Sequence, residues 1–494
     1  MQKQKNLKIF EKKDERGGRT SSFFNKFNKV NLVNMPVSGI YNLVNDSSKN
    51  NLQYYEPLGL LYLASALRKA GYGVDLVDLN IERENHNLES IAKRCTEDSK
   101  IVGISTYTML HDDVISLSNA IKNNDKSIIV IVGGHHATYA DEELLKSGGI
   151  DYVVRGEGEN TLIELVERIK SNENPSLTLG ISYKQDGKII RTPNRPFIED
   201  LNTISFPARD LVSNVYYTMG KELTITTSRG CAGRCIFCTS PNFWNRKVRF
   251  RSPNNVGEEL LGFFSEHKDI PSDLKINFVD DNLTLGGSAR FAAILNYLKK
   301  IGNRFELYSR IDSISEKMLC ELLDTNVSRI RFGIESGSER MLKMLRKGQT
   351  LEKIRRTLDM AKNYGIELHG TFMIGFPTEH ENEVKQTISF ACSLPLDYAF
   401  FFSCTPYPGT EMWNRYASDS VKYSHCDNMN CKENRFGTFE IIPPERKIEL
   451  LAEAYESFYF GKKGFAKPSG YDNITDPLKK AASVTDLIFS KYFT

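Results

Sequence analysis

Residues 231–238 read Cys231-Ala-Gly-Arg-Cys235-Ile-Phe-Cys238. C-x3-C-x2-C spacing puts three thiols on one tight loop, where they can hold three corners of a cubane iron–sulfur cluster and leave one iron open to a further ligand. Zinc is the alternative, since C-x2-C is also a zinc half-site, but it requires a fourth His or Cys close by. The next such residue downstream is His267, and none stands between His136 and Cys231. The open cluster is the reading taken.

The flanks add to this. Leu223–Gly230 is a strand-like run ending in glycine, and an aromatic residue, Phe237, precedes the third cysteine. In these residues the chain resembles the radical S-adenosylmethionine (SAM) superfamily. The resemblance implies that Cys231, Cys235 and Cys238 bind a [4Fe–4S] cluster whose open iron chelates SAM. Reduction would then release a 5′-deoxyadenosyl radical.

Downstream, strand candidates Leu223–Gly230, Lys275–Asp281, Phe305–Asp312, Arg329–Ser336, Leu368–Phe376 and Tyr398–Tyr407 alternate with helical runs. Six βα units over 216–415 fit the partial (β/α)6 barrel of that superfamily, with the chemistry at the strands' C-terminal ends. Those ends offer Asp281 for an ammonium group, Arg310 for a carboxylate, Glu335 for ribose hydroxyls and Gly375 for close approach of adenine. With Phe237 they form the expected SAM side. Cys404, at the end of the sixth strand, is a candidate for meeting a substrate radical, against a plain reading as a core thiol.

Upstream, Val30–Met35, Gly73–Leu79, Ile101–Tyr107, Ser127–Gly134 and Tyr152–Gly156 read as short buried strands separated by helical patterns. Five βα units over 30–171 predict an open parallel Rossmann-like sheet that binds ligands at its carboxyl edge. Ser105-Thr106, Gly133-Gly134-His135-His136 and Gly156-Glu157-Gly158 cluster at those ends, and glycine there admits a bulky ligand. This half resembles cobalamin-binding domains, and the resemblance assigns Ser105, Thr106, Gly133, Gly134, His135, Gly156, Glu157 and Gly158 to that cofactor. His136 is expected to line the same pocket. The loop Asn34–Tyr41 lacks the D-x-H-x-x-G histidine of many such domains, so the lower cobalt face has no assigned ligand. His111 is a candidate by location only, and a bystander role is favoured.

Between the halves, 172–215 reads as a linker with a hairpin, Gly180–Tyr183 and Lys188–Arg191 around Asp186-Gly187. Residues 1–29 carry nine Lys/Arg against three Asp/Glu and read as a basic disordered tail, while the remainder nets −3. Nucleic acid is therefore not an expected partner. The C-terminal region 416–494 reads as helical after Pro443-Pro444, and His425, Cys426 and Cys431 are weak metal candidates.

With 40 % hydrophobic residues, no membrane span, no secretory signal and nine cysteines, scattered apart from the triad, the expectation is a reduced, cytoplasmic α/β enzyme. The expected activity is methyl transfer to an unactivated carbon, more rarely phosphorus, of a small-molecule, lipid or peptide substrate. A flavodoxin- or ferredoxin-type protein is the expected electron donor. Oxidative cyclisation or ring rearrangement with the same cofactors is the alternative. A tRNA methylthiotransferase needs a second cysteine triad, yet only Cys95 precedes Cys231. A non-catalytic cobalamin module would leave the triad unexplained.

Overall fold

The computed structural model describes residues 26–36, 56–81, 87–417 and 439–492. Most of the basic tail, most of the Asn34–Tyr41 loop and the His425/Cys426/Cys431 group lie outside them.

The first sheet has the order β2-β1-β3-β4-β5-β6-β7. Its parallel part is β1 (Lys29–Asn34), β2 (Gly73–Asp78), β3 (Ile101–Ser105), β4 (Ile129–Gly133) and β5 (Tyr152–Val154). The strands carry apolar residues on both faces, in two core clusters, because helices cover both sides. Strand order reverses between β1 and β3, and the crevice that opens outside their carboxyl ends at such a reversal is where ligands bind. The hairpin of the 172–215 stretch is no free connector. Its strands β6 (Ile181–Gln185) and β7 (Lys188–Arg191) extend this sheet, β6 pairing antiparallel with β5.

The second sheet contains β8 (Glu222–Ile225), β11 (Lys275–Phe278), β12 (Phe305–Ser309), β13 (Val327–Glu335), β14 (Glu367–Ile374) and β15 (Tyr398–Ser403). All pairs are parallel and neighbours follow chain order apart from a two-stranded excursion, β9 (Ser228–Arg229) with β10 (Arg249–Phe250). Parallel strands in sequential order, with helices in the connections, make a partial barrel. The barrel is open, since β8 and β15 do not pair.

Open edges leave backbone groups to satisfy. On β8, the Thr224 N–H donates to Glu56 Oε2 (2.8 Å) and its carbonyl accepts from Arg209 Nη2 (2.7 Å). Glu56 precedes the helix Leu58–Lys69 of the first half, and Arg209 lies in the connecting stretch. On β15, the Tyr459 hydroxyl accepts from the Ala399 N–H (3.1 Å) and donates to its carbonyl (2.9 Å), while Tyr455 does the same for Phe401. Four residues along a helix advance about 6 Å. Two along a strand advance about 6.6 Å, so the two hydroxyls fall in register with alternate strand residues.

One continuous core joins Leu32, Leu60 and Ile131 of the first half to Leu223, Ile225 and Val256 of the second and to Tyr455 and Tyr459 at the C-terminal end. Among the described residues no helix is long and apolar enough to cross a membrane.

Candidate functional site: two adjoining cavities

The cysteine loop is positioned by backbone. Gly230 holds φ +111°, and a Cβ there would fall 2.0 Å from the Lys247 carbonyl, so only glycine makes this turn. Six residues on, Ile236 donates its N–H to the Leu345 carbonyl (3.1 Å) and its carbonyl accepts from Met412 N (2.8 Å). Its side chain is buried with Met341, Leu345, Phe376, Cys404 and Met412.

Cys231, Cys235, Phe237, Cys238, Asp281, Arg310 and Glu335 all line one cavity of about 220 Å³ at the carboxyl ends of the barrel strands. Burial pushes the Cys231 thiol up, and pushes Cys238 up to about 12, where Asp281 and the other two cysteines add to the effect. Three thiols around one cavity fit a cubane cluster with one open corner.

Glu335 ends β13 in a backbone conformation rare for a non-glycine residue (φ +75°), next to an irregularity in the β13–β14 pairing. Its Oε1 accepts from Lys347 Nζ at 2.6 Å. Burial alone would lower the Lys347 ammonium, but the Glu335 carboxylate and the Cys235 thiol outweigh it and hold it above the usual range. Lys347 is a site residue the sequence reading missed. It follows the helix Glu339–Met344, which lies in a stretch read as having no element. Arg310 is more occupied than expected. It grips Asp312 with two nitrogens (2.8 Å each) and the Lys347 carbonyl (2.7 Å), while Nη1 points at Cys235 Sγ (3.6 Å).

Two expected residues lie elsewhere. Gly375 lines neither cavity; it turns at φ +79° beneath the C-terminal helix Pro444–Tyr455, where a Cβ would fall 2.5 Å from Lys447 Cδ. Cys404 is 1 % exposed in the core under the cysteine loop, with Sγ 3.5 Å from Met412 Sδ. The core-thiol reading of Cys404 is the one its surroundings match.

A larger cavity of about 440 Å³ lies between the two sheets. Ser105, Thr106, Gly133, Gly134, His135, Gly156, Glu157 and Gly158 all line it. Gly134 holds φ +107°, and a Cβ would press on the Thr106 carbonyl at 2.8 Å; at Gly156 a Cβ would meet nothing within 4 Å. The walls leave apolar surface uncovered. Tyr107 is 62 % exposed and Val279 40 %, and both line this cavity. A largely apolar cavity with glycine-lined strand ends fits a large flat cofactor whose tail enters between strands.

His135 faces this cavity and stacks on Phe243 of the second half (centroids 4.1 Å apart). His136 turns the other way, correcting the expectation that it lines the pocket. Its Nε2 is 2.8 Å from His111 Nδ1 and its Nδ1 3.2 Å from the Thr108 hydroxyl. Burial, then the neighbouring His111, pulls His136 down to about 3, which favours its neutral form. His111 does not line the cavity. Glu157 lines it but is committed to the domain boundary, accepting from Arg229 Nη1 (2.6 Å), Arg249 Nη1 (2.8 Å) and Ile198 N (2.8 Å). Its neighbour Glu159 also takes Arg229 (2.5 Å). Tyr107, Arg229, Phe243 and Trp244 complete the walls, and no spacing pattern in the sequence marks them.

Asp281 and its partner Ser240 connect the two spaces. Ser240 Oγ donates to Asp281 Oδ1 (2.6 Å); Asp281 lines both cavities and Ser240 the larger. The preceding Asp280 is buried, accepting from the Thr227 N–H and hydroxyl and from the Ser228 hydroxyl, which fixes this strand end beside the cysteine loop.

Comparison with known proteins gives the same division. Residues 50–166 match the B12 binding domain family, and 225–391 match the radical SAM superfamily. An uncharacterised methyltransferase of Pyrococcus horikoshii is 33 % identical over 425 residues, covering 83 % of this chain and 89 % of that protein. The anaerobic magnesium-protoporphyrin IX monomethyl ester cyclase of Rubrivivax gelatinosus is 26 % identical over 372 residues (73 % of this chain, 66 % of the cyclase). The radical SAM methyltransferase TsrM of Kitasatospora setae, solved with cobalamin and a [4Fe–4S] cluster, shares the fold. It superposes with a TM-score of 0.62 at 19 % identity, over 78 % of this chain and 77 % of TsrM.

Proposed function

We infer the reaction from one premise: the chain belongs to the cobalamin-dependent radical SAM enzymes, the family that includes radical methyltransferases. Its cofactors are a [4Fe–4S] cluster, SAM and cobalamin. The reading is methyl transfer to a carbon, more rarely a phosphorus, that is neither acidic nor nucleophilic, in a small-molecule, lipid or peptide substrate. When bound, the cluster and cobalamin supply the electron that splits SAM and a transferable methyl group. The single observation that carries the reading is Asp281, shared by both cavities. A substrate atom at that wall lies within reach of groups held on either side, as a radical step followed by methyl delivery requires.

The chain's own residues then divide the work. Cys231, Cys235 and Cys238 hold the cluster. Lys347 sets the rotamer of Glu335 toward the SAM ribose, and Arg310 adds positive charge beside Cys235. Asp281, kept in place by Ser240, accepts from the SAM ammonium. Gly133, Gly134 and Gly156 leave room for the cobalamin tail, and Tyr107 and Val279 offer apolar surface to the corrin. His135 closes the corrin pocket against Phe243.

The test uses anaerobically reconstituted enzyme, a low-potential reductant and SAM bearing a deuterated methyl group. Candidate substrates are metabolites that accumulate in a deletion strain. A product heavier by the labelled methyl is expected, with 5′-deoxyadenosine and S-adenosylhomocysteine released in about equal amounts. The likeness to a cyclase gives a second reading: product formed with 5′-deoxyadenosine but without label would replace methyl transfer by cyclisation or rearrangement.

A further inference from the structure

We propose that the basic groove beside the cysteine loop is the docking site of an acidic one-electron donor protein. The proposal rests on the reductive SAM cleavage assigned above. The groove has a volume of about 700 Å³, and its lining includes Arg234, Arg340, Lys343 and Arg346, with Glu339 as its one carboxylate. Arg340 is paired with Glu383 and Arg346 with Glu411 (2.9 Å), yet both side chains remain about half exposed. Arg234 and Lys343 are exposed and have no ion-pair partner among the described residues. The Glu339 carboxylate accepts from the Leu351 N–H (2.8 Å), so it is partly spent on capping a helix. The surface is thus positive beyond its internal pairs.

Its position is the second observation. Arg234 is part of the loop between Cys231 and Cys235. At the groove's Gly348, a Cβ would lie 3.8 Å from Arg310 Nη2, and the same guanidinium reaches Cys235 Sγ at 3.6 Å. One side chain therefore separates the groove surface from a cluster ligand. On its other side the cysteine loop faces the SAM cavity, which leaves the groove as an outer approach for a bulky reductant. The donor loses one electron, which passes through the cluster to the SAM sulfonium. The C5′–S bond breaks, leaving methionine and a 5′-deoxyadenosyl radical. Positive charge around the entry point draws in an anionic partner and orients it, an effect that weakens as salt rises.

The experiment compares 5′-deoxyadenosine formation by the full, reconstituted chain when driven by reduced flavodoxin and when driven by dithionite. Lys343→Glu is expected to lower the flavodoxin-driven rate at low salt by about fivefold or more and to flatten its salt dependence. The dithionite-driven rate should change by less than about twofold, and Lys343→Arg should behave as the parent under both. Equal losses with both reductants, or no loss with flavodoxin, would overturn the proposal. Failure of the unsubstituted chain to cleave SAM with dithionite would instead overturn the reading on which it rests.

Discussion

At Glu335 the backbone leaves the extended region just after the β13–β14 irregularity, and the carboxylate turns onto Lys347. A non-glycine residue in this conformation costs on the order of 1–3 kcal/mol and persists only where its surroundings hold it. Here the holding group is an ammonium whose side chain, like that of Glu335, is more than nine-tenths buried. Lys347→Met would leave a buried carboxylate without its counter-charge, a loss of about 3–5 kcal/mol. The expected outcome is a lower denaturation midpoint and 5′-deoxyadenosine formation reduced by about tenfold, with iron content kept and Lys347→Arg largely restoring both. An unchanged midpoint in Lys347→Met would show that the pair does not hold Glu335. None of this was legible from sequence. Residue types at strand ends pointed to Asp281, Arg310 and Glu335, but a strand end does not tell which way each side chain turns. Gly375 and His136 show the cost, both facing away from the cavities expected for them.

Elements of a half-open barrel need their edges closed, and here side chains close them. Tyr455 and Tyr459 lie on the C-terminal helix and its wider-wound continuation Glu456–Lys462. The sequence reads this region only as helical after Pro443-Pro444. The two tyrosine hydroxyls, however, complete the hydrogen bonding of β15. Removing a partner from a buried polar group costs about 1–3 kcal/mol, so Tyr455→Phe/Tyr459→Phe should lose on the order of 2–6 kcal/mol in urea unfolding. It should also gain a tendency to aggregate through the bared strand. A double variant as stable and as soluble as the parent would mean that the edge finds other partners.

Across the whole molecule, the two halves are joined by one core and by buried ion pairs. Arg229 spans Glu157 and Glu159, Arg249 takes the other oxygen of Glu157, and Arg209 binds both Glu56 and Glu259. Arg229 immediately precedes the Gly230 turn into the cysteine loop, so this pairing ties the cysteine loop to the floor of the larger cavity. Arg229→Ala would strip a shared cation from two buried carboxylates, costing about 3–5 kcal/mol. Cobalamin retained per chain after gel filtration should fall by about tenfold, and reductive SAM cleavage, which depends on the barrel side, should fall less. Cobalamin retention equal to the parent's would refute the coupling.

Two features were written locally and could be read locally. Three cysteines within eight residues mark a metal-binding loop candidate, and alternating apolar strands with helical runs predict two α/β units built on parallel strands. Both depend on periodicities and separations short enough to survive without the fold. Tertiary structure alone decided that Glu157 serves the boundary between the halves, that Lys347 faces Glu335, that the 172–215 hairpin extends the first sheet and that Asp281 belongs to two cavities. The Arg229–Glu157 pair joins residues 72 positions apart. Such pairings follow from how two curved sheets pack against each other, and that geometry is a property of the assembled core, with no trace in local spacing.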